Sequence, residues 1–141
     1  APVLECLEAI VAAGIWLEVT TLVVPGMNDS PDELSRIADY ITANLGTHVP
    51  WHISRFHGDY KMNTAPATPM STLDMARSIA QAAGLKYVYC GNTPGSHGQS
   101  TFCPACGGML IERVGYEVGG LNLPSGACAK CGEQIDGIWG L

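Results

Sequence analysis

Apolar positions Val3, Leu4, Leu7, Ile10 and Val11 recur at helical spacing and stop at Gly14, so the chain opens on an amphipathic helix. Ile15 to Val24 changes period: the β-branched run Val19-Thr20-Thr21-Leu22-Val23-Val24 predicts a buried strand that Pro25-Gly26 ends. Ser30-Pro31-Asp32-Glu33 is a capping box with Pro at the first helical position. Leu34, Ile37, Ala38, Ile41 and Leu45 follow on one face, and Gly46 closes this second helix. Val49 to Phe56 predicts a second strand, His57 to Pro69 a polar loop, and Ser71 starts a third helix carrying Leu73, Ala76, Ile79, Ala80 and Ala83. Lys86 to Cys90 predicts a third strand. Helix and strand alternate, which implies parallel strands joined by crossover helices. Three strands are too few to close a barrel, which takes about eight.

After Gly91 the pattern is lost. Asn92-Thr93-Pro94-Gly95-Ser96-His97-Gly98-Gln99 has linker composition, and no helical stripe follows Thr101. Residues 1–97 are therefore expected to form the α/β part and residues 98–141 a separate small domain. A tail of about 40 residues cannot bury enough apolar surface to fold without a staple. Met109 to Val114 and Tyr116 to Val118 supply strand material, with Gly115 as a kink.

The staple is in the cysteines. Cys103-x-x-Cys106 and Cys128-x-x-Cys131 lie 21 residues apart, each followed by a glycine, Gly107 and Gly132. This is the spacing of a zinc ribbon, in which four thiolates form a closed tetrahedron and the glycines let amides turn toward sulfur. A thioredoxin-type pair needs a helix start, and none follows either pair. Two disulfides suit a secreted domain, whereas no signal peptide is recognisable at the start of the sequence, so the expected compartment is the cytoplasm. Iron on the same four sulfurs stays open as the alternative metal. A closed tetrathiolate has no site for substrate, so its role is structural. Cys6 and Cys90 read as inert small hydrophobes. His97 is a rival ligand by proximity, but four sulfurs already complete the shell, which leaves it as a loop or substrate-facing residue.

Charge narrows the partners. Lys and Arg number 7 against 13 Asp and Glu, a net charge of −6 over 141 residues, with 47% apolar residues. No broad attraction to nucleic acid or an anionic membrane follows from that balance, and no run of 18 apolar residues exists to span a bilayer. In the tail only Arg113 and Lys130 face four acids.

Strand alternation sends Trp51, Ile53 and Arg55 to one face and His52, Ser54 and Phe56 to the other. Polar groups thus fall on a strand that ought to be buried, and they need partners or a ligand. Ligands in α/β folds gather at the carboxyl ends of strands, where Val24-Pro25-Gly26-Met27-Asn28-Asp29 and Phe56-His57-Gly58-Asp59-Tyr60-Lys61 fall. Asn28-Asp29 reads equally as turn chemistry and His52 as a satisfied core histidine; His57 is the better functional candidate.

LVVPGMNDSPDEL, VPWHISRFHGDYKM, YCGNTPGSHGQSTFCPACG and CAKCGEQIDGIW together resemble the carboxyl-terminal part of radical SAM enzymes of the AmmeMemoRadiSam system, relatives of pyruvate formate-lyase activating enzymes. The resemblance covers essentially the whole chain. It implies the second half of a partial (β/α)6 TIM-type barrel followed by the ribbon. In such an enzyme a CxxxCxxC loop in the first half holds a [4Fe–4S] cluster that reductively cleaves S-adenosylmethionine to a 5′-deoxyadenosyl radical. By the same resemblance His57 takes the place of a histidine that contacts S-adenosylmethionine, and Val24-Pro25 sits where a strand end closes over the adenosine. Thr20 stands where the activating enzymes carry an arginine, so the amino-acid end of the cofactor must be held differently and a glycyl-radical substrate does not carry over. The neighbourhood implies Memo-like and AMMECR-type partners.

No CxxxCxxC occurs in this sequence, and Ala1-Pro2 leads straight into a helical stripe with no initiator Met. The expectation is therefore a fragment, inactive alone, whose amino-terminal half is its first partner. The rival reading, from another class, is a complete non-enzymatic module in which the ribbon binds protein and the α/β part is scaffold.

Overall fold

The computed structural model describes residues 2–59, 65–95 and 98–139. Its α/β part runs α1 (Pro2–Ala12), β1 (Val19–Val23), α2 (Pro31–Tyr40), a π-helical turn (Ile41–Leu45), β2 (Trp51–Arg55), α3 (Met70–Ala82) and β3 (Val88–Gly91). The three strands pair in parallel in the order β1-β2-β3, with Thr20, His52 and Tyr89 level in one row and Leu22, Ser54 and Gly91 in another. This is the expected mixed α/β arrangement with a parallel sheet. β1 is shorter than the apolar run, because Ile15 to Glu18 approaches the sheet without pairing and Val19 is the first residue to bond, to the carbonyl of Pro50.

The core lies on one face of that sheet. Val23, Trp51, Ile53, Val88 and Cys90 point toward Leu34, Ala38, Ile41 and Leu45 of α2 and its π turn and toward Leu73, Ala76 and Ala80 of α3. Ser30 caps α2 as the capping box requires, accepting from the amide of Glu33 at 3.2 Å. α1 is the outlier. Its stripe rests on the core only through Leu7 and Val11, while Val3 is 70% exposed, and Tyr40 ties it down by donating to the carboxylate of Glu8 at 2.8 Å.

The tail forms a second, antiparallel sheet, β4 (Thr101–Phe102), β5 (Met109–Val114) and β6 (Glu117–Leu121), in that order. Gly115, at φ +60°, and Tyr116 make the two-residue turn between β5 and β6, the place where a hairpin of this length needs a positive φ at its first loop residue. β4 is too short to show an alternation and has no signature in the sequence. A small core of Leu110, Ile111, Ile135, Cys103 and Cys128 packs on Tyr87, which leads into β3. Lys86 and Tyr87 both donate to Asp136 Oδ2, at 3.0 and 3.1 Å, and so fasten the ribbon to the edge of the parallel sheet.

Candidate functional site

The four cysteines of the two knuckles come together. Cys103 follows β4, Cys106 lies in the turn before β5, and Cys128 and Cys131 flank a turn beyond β6. Their sulfurs all lie within 4.8 Å of one another, with Cys103 to Cys131 at 3.7 Å and Cys106 to Cys128 at 3.8 Å. A metal bound to four thiolates at about 2.3 Å requires sulfur–sulfur edges of about 3.8 Å, so the donor set already fits a tetrahedral ion such as zinc.

The two knuckles share one backbone pattern despite different residues. The amide of Gly107 donates to the carbonyl of Cys103 at 2.9 Å and that of Gly132 to Cys128 at 2.8 Å, with φ at +69° and +79°. The amide of Cys103 returns to Gly108 and that of Cys128 to Glu133, both at 2.8 Å. Backbone amides also reach the sulfurs: those of Cys131 and Lys130 point to Cys128 and pull its thiol down to about 7. The amide of Glu133 favours the Cys131 thiolate, but desolvation and the three neighbouring sulfurs prevail and push that thiol up to about 12. Four sulfurs this close cannot all ionise without a cation between them. Cys103 and Cys128 are buried and Cys131 is exposed, so the centre sits at the rim of the ribbon.

The strand-end residues are arranged less tightly. The register Val23 to Arg55 sets Val24-Pro25 beside Phe56-His57 at the carboxyl edge of the sheet. Val24 is buried, and its amide donates to Asn28 Oδ1 at 2.7 Å, while Asn28 Nδ2 donates to the carbonyl of Leu22 at 3.0 Å and the amide of Gly26 to Asp29 Oδ1 at 2.8 Å. Asn28 and Asp29 are therefore turn residues that hold the Pro25-Gly26 corner. Thr68, fully buried, pins the following loop back by donating to the carbonyl of Val23 at 2.6 Å and accepting from the amide of Phe56 at 2.9 Å. His57 is exposed just past β2. Thr20 is not with them: it stands in the row of His52 and Tyr89, nearer the amino ends of the strands. His97 and residues 60–64 of the polar loop lie outside the described residues.

Cys6 is exposed on α1, and Cys90 is 1% exposed in the core, where burial pushes its thiol up and makes it unreactive, as expected of a small hydrophobe. His52 is neither free nor enclosed. Its Nε2 meets Glu18 Oε2 at 2.6 Å and its ring stacks on Tyr89 at 5.0 Å between centroids. Burial raises the Glu18 carboxyl, but bonds from Trp16 and His52 and the charges of His52 and Arg113 outweigh it and hold the group below its usual range. Sequence reasoning missed Glu18, Tyr89 and Arg113; the polar alternation at His52 was the one signal pointing toward them.

Fold and donor set define a mixed α/β protein carrying a four-cysteine centre placed to hold one metal such as zinc. The chain is 48% identical over 137 residues to the uncharacterized protein MJ0808 of Methanocaldococcus jannaschii, an alignment that takes in 96% of this chain and 41% of that protein. The chain thus spans about two fifths of the length of the curated relative it matches. No family model matches. Among the described residues no helix is long and apolar enough to cross a membrane.

Proposed function

We propose that this chain is the carboxyl-terminal piece of a cytoplasmic radical SAM enzyme, contributing one wall of its S-adenosylmethionine site and a structural zinc ribbon. The observation that carries this reading is one-sidedness. All packing helices lie on the Trp51 face of the parallel sheet, while Thr20, Leu22, His52 and Ser54 on the other face remain partly or fully open. A barrel wall has this asymmetry, with helices packed on the outer face and the inner face left for the rest of the barrel to cover. The second half of a partial (β/α)6 barrel would present Val24-Pro25 and His57 at its carboxyl rim, beside each other as the register has them. The relative is longer than the stretch it shares with this chain, and this reading puts the cluster ligands in that further length.

The [4Fe–4S] cluster, held by that other half, would supply the electron that cleaves S-adenosylmethionine; this chain's own residues bind and orient. His57 would position the cofactor and the Asn28-braced corner would close over the adenosine. Memo-like and AMMECR-type proteins remain the partners this reading implies. The test is anaerobic reconstitution of the longer protein and of this chain, each assayed for 5′-deoxyadenosine. The longer protein should form it and this chain should not. Product from the chain alone, or a longer protein with no CxxxCxxC, would sink the reading.

One observation favours the non-enzymatic module instead. The ribbon hairpin exposes Tyr116, Val118 and Leu121, with β6 open to solvent along its length, the kind of edge that a protein partner covers.

A further inference from the structure

Between the open face of the parallel sheet and the ribbon lies a cavity of about 800 Å3, within the size range of small-molecule sites. Glu18 comes to it from the segment leading into β1, His52 and Tyr89 from the sheet, Thr101 and Arg113 from the ribbon, and Trp139 from the carboxyl-terminal segment. It lies away from Val24-Pro25 and His57, none of which line it.

Apart from Tyr116 at the exposed mouth, the tryptophans and tyrosines around it have spent their polar atoms inside the protein. Trp16 Nε1 donates to Glu18 at 3.0 Å, Trp139 Nε1 to the carbonyl of Ile135 at 2.7 Å, and the Tyr87 hydroxyl to Asp136 at 3.1 Å. The Tyr89 hydroxyl bonds Thr101 Oγ1 at 2.9 Å. What these residues offer a ligand is ring surface. The charges are also mostly spent: Glu18 pairs with His52 at 2.6 Å and Asp136 with Lys86 at 3.0 Å.

Arg113 differs. Its side-chain hydrogen bonds, to Thr101 Oγ1 at 2.6 Å and to the carbonyl of Gln99 at 3.4 Å, both leave from Nη1, and its guanidinium lies 5.6 Å from the Tyr89 ring centre. Among the described residues no carboxylate comes within ion-pair distance of it. A cation in no close ion pair, its field reaching Glu18 only at a distance while that carboxylate is held by His52, with unspent donors and set in aromatic walls, matches a ligand with one negative charge and a flat apolar body.

We propose that this cavity binds an aromatic monocarboxylate, its carboxylate on Arg113 and its ring against the Tyr89 and Trp139 walls. A di- or triphosphate has too much charge for one arginine, and a cation finds both acids already paired. Because Arg113 and Thr101 stand on β5 and β4, whose placement depends on the cysteine knuckles, metal binding assembles this site. The ribbon is then part of a ligand site and more than a staple. This goes beyond the S-adenosylmethionine reading and does not need it.

The test titrates the zinc-loaded chain with benzoate, its neutral isostere benzamide, and acetate, following the indole N–H signals of Trp16 and Trp139 by NMR. Benzoate should shift both signals saturably and bind at least tenfold more tightly than benzamide or acetate. Arg113→Met should cost benzoate roughly tenfold or more and leave benzamide unchanged, with zinc content as the check on folding. Benzamide binding as well as benzoate, no saturable shift by about 20 mM, or an intact Arg113→Met chain holding benzoate normally would each overturn the proposal. Should that variant fail to keep zinc, the benzoate-to-benzamide ratio on the unaltered chain decides alone.

Discussion

In the α/β part Trp51, Ile53, Leu34 and Leu73 are fully enclosed, whereas among the described residues of the ribbon Leu110 is the one large aliphatic residue that reaches that state, and every residue of β6 is exposed. The two regions thus rest on different physics. One buries apolar surface between a sheet and two helices, a term spread over many side chains. The other has so little to bury that its order depends on four sulfurs meeting at one point, a term concentrated in a single centre. Damage to the first should be graded and damage to the second close to all-or-none.

The sharpest way to break this contrast is Cys128→Ser. With three thiolates the centre loses a ligand and most of a metal-binding free energy on the order of 10 kcal/mol, far more than a 40-residue sheet can replace. Residues 100 to 137 should lose amide-exchange protection and zinc content should collapse, while the amides of β1, β2 and α3 stay protected. Retained protection in β5 with no metal would show that the ribbon core is self-sufficient. Chelation of the unaltered chain should reproduce the effect.

Ile53→Ala tests the other side. A fully enclosed aliphatic side chain cut back to Ala costs about 2 to 5 kcal/mol, set by how far α2 and α3 collapse onto the gap. The denaturation midpoint of the α/β part should fall by that order, with zinc stoichiometry held at one. Loss of zinc in step with the α/β transition would mean that the two regions unfold as one unit through Tyr87 and Asp136.

These two changes were foreseeable because their signals are local. Cysteine spacing reports the metal centre directly, Ser30 and Glu33 report the start of α2, and the apolar runs around Val23 and Ile53 report the buried faces. The cavity was not legible, because Glu18, His52, Tyr89, Thr101 and Arg113 belong to five segments that only tertiary folding brings together. β4 escaped notice because two residues have no period. α1 shows the converse: its helical stripe was legible, yet Val3 and Leu4 face solvent, so a helical period states which face is apolar and not what covers it.

Gly132→Ala should have an intermediate effect. No heavy atom lies within 4 Å of where its Cβ would sit, so the cost is purely conformational: about 1 to 2 kcal/mol for an L residue at φ +79°. Zinc affinity measured by competition should drop roughly tenfold while the ribbon still folds with metal in excess. An unchanged affinity would show that the knuckle relaxes to a negative φ without moving the sulfurs.

The smallest effect separates the regions by pH. Glu18 pairs with His52 across the open face of the sheet, with side chains 47% and 34% exposed, so solvent screens the pair and its worth is at most about 1 kcal/mol. Its carboxyl is held below the usual range, because bonds from Trp16 and His52 and the charges of His52 and Arg113 outweigh the burial that would raise it. A depressed carboxyl stabilises the fold above its unfolded pKa, ordinarily about 4, and that stabilisation is lost as the pH falls through the lower folded value. Glu18→Gln should therefore lower the stability of the α/β part slightly at pH 7, and the difference from the unaltered chain should shrink toward zero in strong acid. The ribbon responds to acid for another reason, since protons compete with the metal for its thiolates, so it should come apart first, at a pH where the Glu18 difference is still at its full size. The indole N–H signal of enclosed Trp51, which donates to Thr21 Oγ1 at 2.9 Å inside the α/β part, follows that part by NMR through the range separately from Trp139, which is tied to Ile135 of the ribbon core. A Glu18→Gln variant that is instead more stable than the unaltered chain at pH 7, with the gap again closing in acid, would mean that the carboxylate is destabilising where it stands, and that His52 is held in the cavity by Tyr89 alone.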